Sequence, residues 1–89
     1  MQQVTITIHG RVQGVGFRET ARKLAKKLKI TGFARNEPDG SVYIRAKGYG
    51  DALEEFLAWC EKGPRSARVT KMEHYFVDPH DVFDDFVVR

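Results

Sequence analysis

Three features of the sequence predict an α+β fold, one antiparallel sheet backed by two helices. Val4-Thr5-Ile6-Thr7-Ile8 alternates apolar and β-branched polar residues, the pattern of a half-buried strand. Apolar residues recur at helical spacing twice, between Phe17 and Leu28 and again between Leu53 and Cys60. A Pro38-Asp39-Gly40 turn separates two β-prone runs.

The first strand runs from Val4 to Gly10 with Val4, Ile6 and Ile8 directed at the core, because β-branched residues suit a pleated, half-buried surface. A glycine-rich stretch follows. The first helix then runs from Arg18 to Lys29. Phe17, Ala21, Leu24, Ala25 and Leu28 fall on one stripe, and Glu19, Arg22, Lys23, Lys26 and Lys27 take the rest of the wheel.

Gly32 ends the connection, and Phe33-Ala34-Arg35-Asn36 leads through Glu37-Pro38-Asp39-Gly40 into Ser41-Val42-Tyr43-Ile44-Arg45-Ala46-Lys47. Proline presets one dihedral of this hairpin turn and glycine takes the left-handed position, so Asn36 sits on or beside a strand end. Asp51, with Glu54 three residues on, resembles a capping box before the second helix, whose stripe is Leu53, Phe56, Leu57 and Cys60. Gly63-Pro64 stops that helix.

Residues 67–77 read as a strand with imperfect alternation, which a bulge near Met72 explains. Asp78-Pro79-His80-Asp81 reads as a surface loop, and residues 83–89 offer a last short strand with Phe86 and Val88 on one face. Strand, helix, strand, strand, helix, strand, with room for an extra short C-terminal edge strand, is the ferredoxin-like split βαβ arrangement.

Composition bounds the function. Eighty-nine residues make a single domain, 1–89, and 42% hydrophobic residues with six Phe support a real core. Cys60 is the only cysteine and has no Cys or His neighbour at ligand spacing, so neither a disulfide nor a zinc site is expected, and no metal. No apolar run approaches the length of a membrane span or a secretory leader, so a cytoplasmic protein without a membrane partner is expected. The formal charge of +3 favours anionic partners without separating a phosphate ester from a nucleic acid.

The chemistry lies in Gly10-Arg11-Val12-Gln13-Gly14-Val15-Gly16-Phe17-Arg18, between the first strand and the first helix. Glycines let consecutive N–H groups converge, a helix N-terminus adds partial positive charge, and an arginine supplies a fork of donors matched to phosphate oxygens. The stretch is an anion cradle. The dinucleotide fingerprint fails because its third glycine is replaced by Glu19, and the nucleotide-triphosphate loop fails because Gly-Lys followed by Ser or Thr is absent. No cofactor is implied.

The glycine stretch, together with Gly32-Phe33-Ala34-Arg35-Asn36, Asp39-Gly40-Ser41-Val42 and Gly63-Pro64, resembles the acylphosphatase family over nearly the whole chain. The resemblance implies a small, free-standing, metal-independent hydrolase of prokaryotic type, a cytoplasmic monomer. Its substrate would be a small-molecule acyl phosphate, cleaved at the carboxyl–phosphate anhydride to a carboxylate and inorganic phosphate. The resemblance carries two catalytic assignments: Arg18 would bind the phosphoryl oxygens, and Asn36 would position the attacking water. The backbone amides of Gln13, Gly14, Val15, Gly16, Phe17 and Arg18 would complete the phosphate-binding loop.

Other features read as ordinary. The basic residues Arg22, Lys23, Lys26, Lys27 and Lys29 read as a solvated helix face, Cys60 as a small core residue, and Trp59 as a cover for the helix edge. Lys47-Gly48-Tyr49-Gly50 matches the first half of an RNA-recognition stacking motif, but Asp51-Ala52-Leu53-Glu54 does not continue it, so no nucleic-acid partner is expected.

Overall fold

The computed structural model describes all 89 residues, Met1–Arg89. Its elements are β1 (Gln2–Arg11), α1 (Phe17–Lys27), β2 (Thr31–Asn36), β3 (Val42–Gly48), α2 (Gly50–Lys62), β4 (Arg68–Val77) and β5 (Phe86–Val88). The sheet order is β4-β1-β3-β2-β5. The first four strands form the antiparallel arrangement expected, and β5 is the extra C-terminal edge strand. It pairs parallel to β2, which makes the sheet mixed.

Register follows the alternation. Val4, Ile6 and Ile8 stand opposite Ala46, Ile44 and Val42, and all six are fully buried on the face that carries both helices. Phe17, Ala21 and Ala25 of α1 and Leu53, Phe56, Leu57 and Cys60 of α2 close the core above them. Each such large apolar side chain contributes about 1.5–3 kcal/mol on burial. The Trp59 ring lies 5.1 Å from that of Phe17, tilted by 53°, and joins the two helices. Burial pushes the Cys60 thiol up, away from the reactive thiolate.

Besides a last strand that covers only Phe86–Val88 of the 83–89 expected, local details differ from the sequence reading at three places. First, α1 stops at Lys27, because Leu28 and Lys29 form a closing turn in which Lys29 is left-handed at φ 59°. Second, no capping box forms at α2. The helix opens one residue ahead of Asp51, with Tyr49 as its extended N-cap, and the Asp51 carboxylate accepts instead from the Ala52 amide at 2.9 Å. The acid still faces the positive end of the helix dipole.

Third, the bulge lies at Thr70 rather than Met72. His9 pairs with Lys71 and Gly10 with Val69, which leaves one extra residue on β4 and puts Val69 and Met72 both against the core. The reason lies in the facing strand. A Cβ on Gly10, whose φ is +121°, would sit 2.1 Å from the Arg68 carbonyl oxygen, so only glycine admits β4 this closely.

From β4 at one edge, residues 78–85 cross to β5 at the other over the helix-free face of the sheet. Asp81 anchors the crossing. Its carboxylate accepts from Gln3 at 2.8 Å and Arg45 at 3.2 Å, and its backbone oxygen accepts from Lys47 at 2.7 Å. The Gln3 bond first, then the charge of His80 and Arg45, hold the Asp81 carboxyl below the usual range. Gln3 is thereby buried and satisfied at once.

Candidate active site

The loop between β1 and α1 is built around two left-handed glycines, Gly14 at φ 73° and Gly16 at φ 76°. A Cβ at either would meet nothing within 4 Å, so backbone conformation, not crowding, requires glycine there. Left-handed residues set into a turn direct successive N–H groups toward one side, the geometry of an anion nest. None of the backbone N–H groups from Gln13 to Arg18 donates to another group of the chain. Gly16 caps α1 without a side-chain bond, so the helix adds its own free amides and dipole at the same point.

Four residues of this run border a cavity of about 290 Å³, close to the lower limit of roughly 300 Å³ for drug-sized ligand pockets. Gly14 and Gly16 of the loop and Phe17, Arg18 and Glu19 of α1 line it, with Val12 and Val88 as apolar walls. Asn36, the last residue of β2, completes the lining. Arg18 and Asn36, 18 positions apart in the sequence, therefore share one concavity.

Asn36 bears the clearest mark of an unfilled role. Its Oδ1 is buried and has no hydrogen-bond partner, the only such side-chain atom in the chain. A buried acceptor left unpaired costs about 1–3 kcal/mol, so its retention calls for a function. Arg18 is half-exposed, and one of its terminal nitrogens donates to the Arg89 carbonyl at 2.9 Å, leaving its other donors for a ligand.

Gln13 and Val15 do not line the cavity. Val15 packs against the core, and the Gln13 amide donates to the Glu37 carbonyl at 2.8 Å and the Ser41 carbonyl at 3.0 Å. Gln13 thus ties the glycine loop to the hairpin that begins directly after Asn36. Gln13→Leu is expected to cost about 1–3 kcal/mol of stability, measured by urea unfolding. It should also lower kcat/KM about tenfold, since small misplacements of a reacting geometry are costly.

Two residues of the cavity lining, and a carbonyl that Arg18 bonds beside it, are not assigned a role by the sequence. Glu19 lines the cavity, and its carboxylate is gripped by Arg22 through two nitrogens, a pairing that holds it below the usual carboxylate range. Its place beside Arg18 was the available signal. Val88 and the Arg89 carbonyl had none, because they arrive through the long-range parallel pairing of β5 with β2.

The family model for acylphosphatase matches residues 4–88. The chain belongs to the acylphosphatase family. It is 47% identical to an acylphosphatase of Salinibacter ruber over 99% of this chain and 93% of that one. It is 40% identical to an acylphosphatase of Methylococcus capsulatus over 99% and 96%. The crystal structure of acylphosphatase from Bacillus subtilis superposes with a TM-score of 0.96 at 34% identity, covering 100% of this chain and 99% of that chain. Family membership makes the chain a hydrolase of acyl phosphates and fits a cavity whose donors are all suited to an anion.

Proposed function

We propose that the phosphoryl group of a small acyl phosphate binds the backbone amides of residues 13–18 together with Arg18, and that Asn36 orients the attacking water. The observation that carries this reading is that Gly14, Gly16, Phe17 and Arg18, whose amides are unpaired, line one cavity with Asn36, whose Oδ1 is unpaired too. An acyl phosphate already has a good leaving group. Catalysis therefore needs charge neutralisation and aim more than acid assistance. Water attacks phosphorus, the bond from phosphorus to the acyl oxygen breaks, and the carboxylate leaves with the electron pair.

The water proton passes to a phosphoryl oxygen of the substrate. Asp39 is committed elsewhere, its Oδ1 accepting from the Ser41 amide at 2.9 Å and the Ser41 hydroxyl at 2.6 Å, and Glu19 is committed to Arg22. Ser41's bonds hold the Asp39 carboxyl below its ordinary range. A general base contributes about 10²–10⁴-fold. Asp39→Asn and Glu19→Gln should both leave kcat/KM nearly unchanged in a folded protein, and a loss of about a hundredfold in either would assign the base to that residue.

The reading includes a reaction that needs no metal, in a cytoplasmic, monomeric protein formed by the single domain 1–89. It is supported by the donor set, which binds anions directly, and by the absence of a second cysteine to pair with Cys60. Hydrolysis of benzoyl phosphate in excess chelator tests it. Full activity is expected, and activity restored only by added metal would overturn the metal-free route.

A further inference from the structure

We infer that Arg22 is a positioning residue that keeps the phosphate cradle open, by holding the Glu19 carboxylate away from the loop amides. The inference rests on the assignment of those amides to the phosphoryl group. A carboxylate is out of place in an anion site, yet Glu19 lines the cavity next to Arg18. Its position on the helix sharpens the conflict. With Gly16 as N-cap, Glu19 is the third helical residue of α1. The side chain at that position is the one that turns back onto the free amides of its own helix, as the glutamate of a capping box does, and the helix dipole draws its charge the same way. No side chain caps α1, and the free amides at that end belong to the loop that the phosphoryl group needs.

Arg22 settles the competition. Its Nε donates to both Glu19 carboxylate oxygens at 3.1 Å each, and a terminal nitrogen donates to one of them. Lys23 and Lys26 add only their charge, and the one ion pair that Lys26 makes is with Asp85. Arg22 is not part of the cavity lining, so it acts on the site through Glu19 alone. Without Arg22, Glu19 becomes a tethered carboxylate, 51% exposed and free to turn, that competes with the phosphoryl group for the loop. A competitor for the ligand raises KM and leaves kcat unchanged, whereas a distorted site loses kcat.

The test compares the parent, Arg22→Ala, Arg22→Lys, and Glu19→Ala with and without Arg22→Ala. Steady-state kinetics gives kcat and KM for benzoyl phosphate, and shifts of the 14–18 amide resonances give the dissociation constant of inorganic phosphate. Arg22→Ala should raise KM and that constant about fivefold each, the size of one helix-capping interaction, at unchanged kcat. Ligand-free Arg22→Ala should also show the 16–18 amide resonances displaced in the direction that phosphate moves them in the parent. Arg22→Lys, which keeps a cation at the same spacing, should recover most of both constants. In the Glu19→Ala background Arg22→Ala should change neither, because the competitor is gone. An unchanged KM in Arg22→Ala, a loss that falls on kcat, or the same loss in the Glu19→Ala background would overturn the inference. If inorganic phosphate moves none of these resonances in the parent, the assignment of the loop fails and the inference fails with it.

Discussion

Arg18→Ala is expected to abolish hydrolysis of benzoyl phosphate while the protein stays folded. Removing a single donor to a developing oxyanion costs about 3–4 kcal/mol of barrier, and Arg18 contributes charge as well as donors. A loss of at least about a thousandfold in kcat/KM is therefore expected. Folding has little at stake. Arg18 is half-exposed and its one intramolecular side-chain bond, to the Arg89 carbonyl, contributes about 0.5–1.5 kcal/mol. Arg18→Lys should recover little of the activity, since an ammonium cannot bond Arg89 and grip two phosphoryl oxygens with one planar fork. Steady-state kinetics with a urea unfolding curve for each variant checks both halves. A folded Arg18→Ala that keeps a tenth of the activity would remove Arg18 from the phosphoryl site.

The sequence made the site legible to the extent that it is local. Gly14, Gly16 and Arg18 lie within five residues, and two left-handed glycines before a helix leave few backbone paths. Asn36 was placed at a strand end by the Pro38-Asp39-Gly40 turn, which forms as expected with Gly40 at φ 94°. The core was equally legible, because Val4, Ile6 and Ile8 must share a face and the helical stripes of α1 and α2 must cover it.

What escaped the sequence depends on pairings between distant residues. The position of the bulge is set by how closely β4 approaches Gly10, 60 positions before Thr70, and alternation within β4 alone could not locate it. Asp78-Pro79-His80-Asp81 read as an ordinary surface loop and residues 83–85 as the start of the last strand, whereas 78–85 form one crossing segment. Its course over the sheet becomes clear only once Gln3, Arg45 and Lys47 are seen to converge on Asp81. Phe33 shows the same limit. It is buried on the helix-free face by Phe83 and Tyr43 with arginines beside the ring, a setting that its own stretch of sequence does not mark. The stacking match at 47–50 likewise ends in a helix: Gly48 closes β3, Tyr49 is the N-cap of α2, and neither extends a stacking strand.

Asn36→Ala is expected to lose activity and gain stability, opposite signs that a structural role could not produce. The loss follows from the water. With the Oδ1 acceptor gone, nothing in the cavity aims a nucleophile at phosphorus, and losing that aim costs about 10²-fold in kcat. KM should move less, because Arg18 and the loop amides remain. The gain follows from desolvation. The parent keeps one buried acceptor without a partner, at about 1–3 kcal/mol, and alanine has no such group to bury. Part of that gain is offset by the contacts of the lost amide. A net 1 kcal/mol would raise the thermal midpoint by roughly 4–8 °C in a domain of this size. Asn36→Asp separates the two effects. It keeps the shape and the acceptor but sets a carboxylate beside the bound phosphoryl group, so activity should stay low without the rise in midpoint. Calorimetry and single-turnover kinetics on the three proteins check this, and a midpoint that falls in Asn36→Ala would make Asn36 a structural residue.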